Sequence, residues 1–398
     1  MNVTHTGTQS ASKIPSTADD ILERARRIVP LLREHSASIE EKRCLPNAVV
    51  DLLRDSGVFR AAMPKNWGGP ELTSVQQTQL VEILATGDVS AAWCAMIGMD
   101  SGIYSGFFPE EIARQIYPSL DMANSGWIHP HGRADRVAGG FNVSGQWRFA
   151  SGVTHCDVLV AGCLVYKDGV LEPDALTGEA KQWRVMVATP ADFQINDTWF
   201  TTGLAGSGSL DYSVMQLFVP DERSFSFSRP YKQGPLHSSP DAILRKMSGV
   251  PLGMARACLD YVRSQVAERI DRETGIPWVN DVRVQSAIAL AEMELAAARS
   301  SVYSSLDMQW QKLANREDFS LDDRVLTALA RYNAFRTGRN IVQTLYDLMG
   351  GSSIYKRSPM DGWLRDSTTM CQHAVAQNAI LQLAGKVLVG GQSTSPFF

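Results

Sequence analysis

Two stretches of this chain combine residue types and spacing that could do chemistry. The first is Gly145-Gln-Trp-Arg-Phe-Ala-Ser-Gly152, an alternating run that ends in small residues. A strand carrying Trp147 and Phe149 into such a turn lets the backbone at Ser151 and Gly152 approach a planar ligand closely. An ordinary strand end with core aromatics fits the same letters. The second is His129-Pro-His131, which with His155 could form a metal trio, because residues i and i+2 share one face of a strand. No Asp, Glu or His partner stands at metal-ligand spacing, and Pro130 points to a loop. Polar groups of a substrate pocket and plain surface histidines are the other readings, and no metal is assigned. The dinucleotide, P-loop and nucleophile-elbow signatures are all missing from the sequence. Ser353-Ile-Tyr-Lys356 matches S-x-x-K, but a single four-residue match in a chain of 398 residues is expected by chance.

The elements that must position these residues change character twice. From Thr17 to about residue 121 the pattern is helical: Ile21, Ala25, Ile28 and Leu32 recur at helical spacing, with Pro30 expected to kink the segment. Residues 47–55 end at Gly57, and residues 75–85 and 90–107 follow as further helices. From 122 to 232 the period drops to two, with β-rich runs separated by Gly, Pro and Asp and no helix between them, which predicts an antiparallel barrel or sandwich. From 233 to 398 four long helices (about 249–272, 282–313, 321–348 and 365–388) predict a four-helix bundle. The polar residues 1–16 lack an apolar core of the signal-peptide kind and read as a mobile tail.

Composition narrows the function classes. Lys and Arg total 38 against 42 Asp and Glu, a net charge of −4, which offers neither a nucleic-acid footprint nor an anionic-membrane footprint. No window reaches the ~18 uninterrupted apolar residues of a membrane span. Six scattered cysteines without a C-x-x-C pair suit a reducing cytoplasm rather than a disulfide framework.

The order of helices, β region and helical bundle resembles the acyl-CoA dehydrogenase superfamily, an α+β fold. Met63-Pro-Lys-Asn-Trp-Gly-Gly69, Gly145–Gly152, Asp347-Leu-Met-Gly-Gly351 and Leu364-Arg-Asp366 agree with it in order. The resemblance implies that Ser151 sits beside flavin N5 and that Phe149 flanks the isoalloxazine. It implies that Gly350 and Gly351 lie along the adenylate, and that Arg269 meets a neighbouring subunit's cofactor. The F-G-x-P that usually follows that arginine is replaced by Thr274-Gly-Ile-Pro277. Dehydrogenation also needs a carboxylate base. The usual position, eight residues beyond Asp366, is Ala374, and an alternative position aligns with Ile243, two residues from Asp241.

A branch of the same superfamily, the two-component flavin-dependent aromatic monooxygenases, resembles this chain more closely. Asp197-Thr-Trp-Phe-Thr-Thr-Gly-Leu-Ala-Gly-Ser-Gly-Ser-Leu-Asp-Tyr212, Gly145–Gly152 with His155, and Gln372-His373 after the L-R-D segment match its motifs in order. The resemblance implies reduced FAD or FMN, O2 as co-substrate and a C4a-hydroperoxyflavin. It also implies a separate NAD(P)H-flavin reductase, a small aromatic substrate and a homotetramer. Ser151 would hold N5, while His373 would hydrogen-bond the peroxide or take a ring proton, with a charge that changes near neutral pH. Trp93 has a substrate-cavity reading and a core-packing reading, and His129 and His131 would be substrate-side polar groups. Ser209 and Asp211 read as turn residues. The W-C-A-M-I-G-M-D and H-P-H-G textures most resemble the indole and indole-3-acetate oxygenating members, with phenolic substrates also served by the scaffold. An acyl-CoA dehydrogenase with its base at Asp241 and a non-catalytic family member are the remaining readings.

Overall fold

The computed structural model describes residues 14–393, 395 and 397. The expected tail lies outside the described residues as far as residue 13. Of the rest, Pro15 is buried and its carbonyl accepts from Arg60 Nη1 at 3.3 Å.

Six helices come first: α1 (Ala18–Lys42), α2 (Asn47–Ser56), α3 (Ser74–Ala85), α4 (Val89–Gly98), α5 (Ser101–Ser105) and α6 (Glu110–Ile116). Their ends are set locally. Thr17 caps α1, Gly57 at φ 80° ends α2, and Thr73 with Gln76 forms a capping box on α3. Helix α1 runs through Pro30 as one element. The single helix expected over 90–107 is two, α4 and α5, separated at Met99–Asp100. Asp100 is buried there and paired with Lys246 at 2.5 Å, a contact no local pattern announces.

Eight strands follow: β1 (Asn124–Val137), β2 (Gly140–Ala150), β3 (Val158–Lys167), β4 (Val170–Leu171), β5 (Trp183–Ala188), β6 (Gln194–Asn196), β7 (Leu210–Pro220) and β8 (Ser224–Phe225). They form one sheet in the order β6-β7-β2-β1-β3-β5-β8, with β4 beside β3. The expected antiparallel arrangement is corrected at one ladder, because β1 and β3 pair in parallel and the sheet is mixed. Strand β2 returns along β1, and the corner at 151–157 then carries the chain to the far side of β1, so Val158 starts beside Asn124. That corner contains Ser151 and Gly152.

The remaining helices are α7 (Ala242–Arg245), α8 (Gly249–Val266), α9 (Val282–Ala314), α10 (Leu321–Met349), α11 (Pro359–Met370) and α12 (Asn378–Leu388). Two of the four long helices, α9 and α10, lie where periodicity puts them. The first, expected over 249–272, ends at Val266, and Ile270 beyond it pairs with Pro277 as an isolated β-bridge. The fourth, expected over 365–388, is broken into α11 and α12 by a 3-10 turn at Ala374–Ala376. Neither Gly nor Pro marks this break. Side chains make it instead: His373 Nδ1 accepts from Val375 N at 3.4 Å, and Gln377 Nε2 donates to Cys371 O at 2.8 Å.

Candidate active site

The corner after β2 carries a strained aromatic. Phe149 has φ 60°, uncommon for a residue with a Cβ and usual at functional sites. Its side chain is 48% exposed although Trp127 and Trp199 lie 5.5 and 6.1 Å from its ring. By contrast Trp147, two residues earlier, is fully buried, stacks on Tyr212 and donates to Gly162 O at 2.8 Å. One aromatic of the motif is therefore core, and the other presents an open face.

Ser151 is 6% exposed and belongs to a line of hydroxyl groups. Its Oγ lies 2.7 Å from Ser209 Oγ, which lies 2.7 Å from Ser207 Oγ, and Ser207 donates to Leu204 O at 2.7 Å. The terminal carbonyl can only accept, so the direction of the line is fixed: Ser151 donates to Ser209, and Ser209 to Ser207. Trp93 Nε1 donates to Ser151 Oγ at 3.1 Å. One lone pair of Ser151 remains, so this hydroxyl can accept one further hydrogen bond and donate none. A reduced flavin carries a proton on N5 and an oxidised flavin does not. The open face of Phe149 and the acceptor on Ser151 thus fit a reduced flavin.

The long Asp197–Tyr212 motif holds this line in place. Arg43 donates to both oxygens of Asp197 at 2.7 and 2.8 Å, and Asp366 Oδ1 accepts from Leu204 N at 2.6 Å. Arg365 donates to Thr202 O at 2.6 Å. Gly203 sits so close that a Cβ there would meet Arg365 O at 2.2 Å. Leu364-Arg-Asp366 is thereby a clamp on the 201–204 loop.

Trp93 joins the two halves of the site. It is 6% exposed, bonds Ser151 on one side, and on the other meets the His373 ring edge-on at 5.6 Å. Burial, then the charges of Arg331 and His129, lower the pKa of His373 to about 4. The expected change of charge near neutral pH is corrected accordingly, because His373 is neutral there. Since its Nδ1 accepts from Val375 N, its proton lies on Nε2.

His129 and His131 are not on a loop. They lie inside β1, both exposed on one face, where the register with β3 shifts between Trp127 and Gly132. His129 stacks on Trp183 at 6.0 Å, and both histidines meet Trp127. His155 lies apart, against Phe59, with Nδ1 buried and without a partner. Among the described residues no group of three or more His, Cys, Asp or Glu could hold a metal ion.

Arg269 and the glycine pair form a separate cluster. Arg269 Nη2 donates to Ser352 Oγ at 3.1 Å, and Gly350 has φ 60° and ψ −147°, a conformation open almost only to glycine. Among the described residues no hydrogen bond, ion pair or ring contact joins this cluster to Ser151 or His373. Asp241 is buried, and both its oxygens are bound by Arg245, at 2.8 and 3.1 Å, with Gln309 adding a third bond at 2.7 Å. Although burial alone would raise its pKa, Arg245 holds it well below the usual carboxylate range. A carboxylate so bound is a poor proton acceptor.

Two residues escaped the sequence reading. Ser209 is the acceptor that orients Ser151, and Arg331 is a buried cation whose charge acts on His373. Arg331 carried a signal, since it lies on the stripe Thr327, Ala334, Phe335, Gly338 and Val342 that faces the core of α10. Ser209 carried none, because a serine in a Gly-Ser run reads as a turn.

Comparison with known proteins agrees with this architecture. The acyl-CoA dehydrogenase N-terminal domain model matches residues 16–115 and the C-terminal domain model residues 246–378, together more than half of the chain. The indole-3-acetate monooxygenase of Pseudomonas putida is 29% identical over 368 residues, covering 90% of this chain and 91% of the relative. The FADH(2)-dependent resorcinol hydroxylase, oxygenase component, of Rhizobium sp. is 25% identical over 400 residues, covering 93% and 94%. Among solved structures, XiaF from Streptomyces sp. in complex with FADH2 and glycerol superposes with a TM-score of 0.87 at 19% identity, covering 95% of this chain and 97% of the other. The chain belongs to the acyl-CoA dehydrogenase family.

Proposed function

We propose that this chain is the oxygenase component of a two-component monooxygenase, taking reduced FAD or FMN from a separate NAD(P)H-flavin reductase and inserting one atom of O2 into an aromatic or heteroaromatic ring. One observation carries the reading. The site pairs an acceptor-only Ser151 with a neutral His373, and the Asp241 carboxylate of the dehydrogenase alternative is bound on both oxygens. Bound reduced flavin supplies the electrons that activate O2. Ser151 would hold the group by accepting a hydrogen bond from N5–H on its remaining lone pair. The Phe149 ring, propped by Trp127 and Trp199, would offer an apolar face to a planar ring system. His373 presents Nε2–H to oxygen or to a ring substituent, and Trp93 fixes the imidazole edge-on. The buried walls of α4 keep water away, as activated oxygen requires.

The names of the relatives and the exposed His129–His131 face support an indole-type substrate, with phenols as the second class. Arg269 beside Gly350–Gly351 offers a surface that only the adenylate half of FAD would use. Exposed apolar side chains on α9 and α12, among them Leu290, Met293, Leu381 and Leu388, support the homotetramer. Among the described residues no helix is long and apolar enough to cross a membrane, and the six cysteines are unpaired thiols, which suits the cytoplasm.

Rapid mixing tests the reading. Protein premixed anaerobically with reduced FMN or FAD meets oxygenated buffer, and flavin absorbance is followed with and without an indole or phenol. A lasting species distinct from oxidised flavin, which decays faster with substrate, is the expected result. Reoxidation at the rate of free flavin would overturn the proposal.

A further inference from the structure

Charge at the site is unbalanced. Arg331, on α10, is 4% exposed, and its Nε is buried without a partner. Among the described residues its guanidinium makes no hydrogen bond and no ion pair. The other fully buried cations of this region are paired: Arg245 with Asp241 at 2.8 Å and Lys246 with Asp100 at 2.5 Å. Asp241 is the carboxylate whose field reaches Arg331, but Arg245 already binds both its oxygens, so one negative charge faces two arginines. Burial lowers the Arg331 pKa only to about 10, which leaves it cationic at neutral pH. A buried guanidinium without a counter-ion is rare, because desolvation penalises it and nothing offsets the loss.

The position of Arg331 connects this charge with the chemistry. Its field reaches the His373 imidazole. Helix α10 also carries the joint on which His373 sits: Arg336 bonds Ala376 O, and Phe335 O accepts from Cys371 Sγ. A planar guanidinium with free N–H groups matches a carboxylate by two parallel hydrogen bonds.

We infer that Arg331 is the specificity-determining residue of this site and takes the carboxylate of an aromatic acid, whose ring then lies toward His373 and Trp93. What is done to that ring rests on the oxygenase reading above; the preference for an acid does not.

Binding tests the two separately. Wild type, Arg331→Met and Arg331→Lys are titrated with a panel of arylacetates (indole-3-acetate, 4-hydroxyphenylacetate, phenylacetate) and with the matching neutral amides, flavin-free and loaded with oxidised FMN. At least one acid is expected to bind wild type about 30-fold or more tighter than its amide, as loss of a buried charge-assisted pair implies. In Arg331→Met the preference falls to within about threefold, and Arg331→Lys keeps part of it. The thermal midpoint of ligand-free Arg331→Met stays at or above that of wild type, because an uncompensated charge has been removed. Equal binding of every acid and its amide by wild type would overturn the inference, as would a preference that survives in Arg331→Met. So would a midpoint several degrees lower, which would mark a purely structural arginine. Because no oxygen is consumed in these titrations, a failed rapid-mixing experiment leaves their result standing, and the reverse holds too.

Discussion

Replacing Ser209 by alanine should change both the stability of the fold and the redox state of flavin that it favours. Ser209 is 3% exposed and makes two hydrogen bonds of 2.7 Å, one to Ser151 and one to Ser207. A net contribution of about 1 kcal/mol per bond gives about 2 kcal/mol lost. The Ser151 hydroxyl also loses the acceptor that fixes its proton and becomes free to turn toward the flavin. Wild-type Ser151 accepts only, which favours N5–H, so reduced FMN should bind about tenfold tighter than oxidised FMN, the equivalent of one hydrogen bond. In Ser209→Ala the hydroxyl can donate as well, and that ratio should collapse toward one. Urea unfolding reads the first effect. Fluorescence quenching of oxidised FMN and anaerobic ultrafiltration with reduced FMN read the second. A loss below about 0.5 kcal/mol together with an unchanged ratio would refute the directional hydroxyl line.

Other outcomes follow from the same geometry. The neutral His373 should hold its shift pattern in NMR from pH 8 down to about 5, with protonation only near its lowered pKa of about 4. When an arylacetate neutralises Arg331, one of the causes lowering that pKa is removed, so the titration should move upward; an unmoved midpoint in the loaded protein would contradict it. His373→Gln should leave flavin binding intact but reduce product formed per flavin oxidised by about tenfold to a hundredfold, measured as coupling efficiency. Acyl-CoA should not bleach oxidised FAD bound to wild type, because Asp241 is held ionised and bound. Asp241→Asn should lower stability by about 3–5 kcal/mol in denaturant unfolding, since Arg245 loses its counter-ion. Arg269→Gln should weaken FAD and leave FMN unchanged in parallel titrations.

The sequence made the repeating features legible. Helical spacing located α1, α8, α9 and α10, and β-rich runs located β2, β3 and β7. Helices α1, α9 and α10 bury one face and their letters show it, whereas β3 is buried along six consecutive residues and reads as an unbroken apolar run. What remained hidden depends on contacts between distant segments. The Met99–Asp100 break answers to Lys246, 146 residues further on. The parallel β1–β3 ladder follows from a corner whose path no strand pattern encodes. Pro130 suggested a loop, yet β1 absorbs it at a bulge. At the site, Ser151, Phe149 and Trp93 fall together, whereas the partnerless state of Arg331 is a property of its surroundings and not of its letter. The neutral state of His373 arises in the same way, from burial and a neighbouring cation.

The bond from Trp93 to Ser151 bears on how this scaffold can change. One indole ring touches the hydroxyl that would select the cofactor's redox state and, through its edge, the histidine that would face the substrate. Any replacement that enlarges the substrate side by trimming Trp93 also frees a second lone pair on Ser151 and alters its response to flavin. Substrate range and flavin economy are therefore inherited together: variants selected for a bulkier ring should arrive with leakage of peroxide. Restoring tight coupling would then call for a second change near Ser207 or Ser209 rather than further remodelling of the cavity.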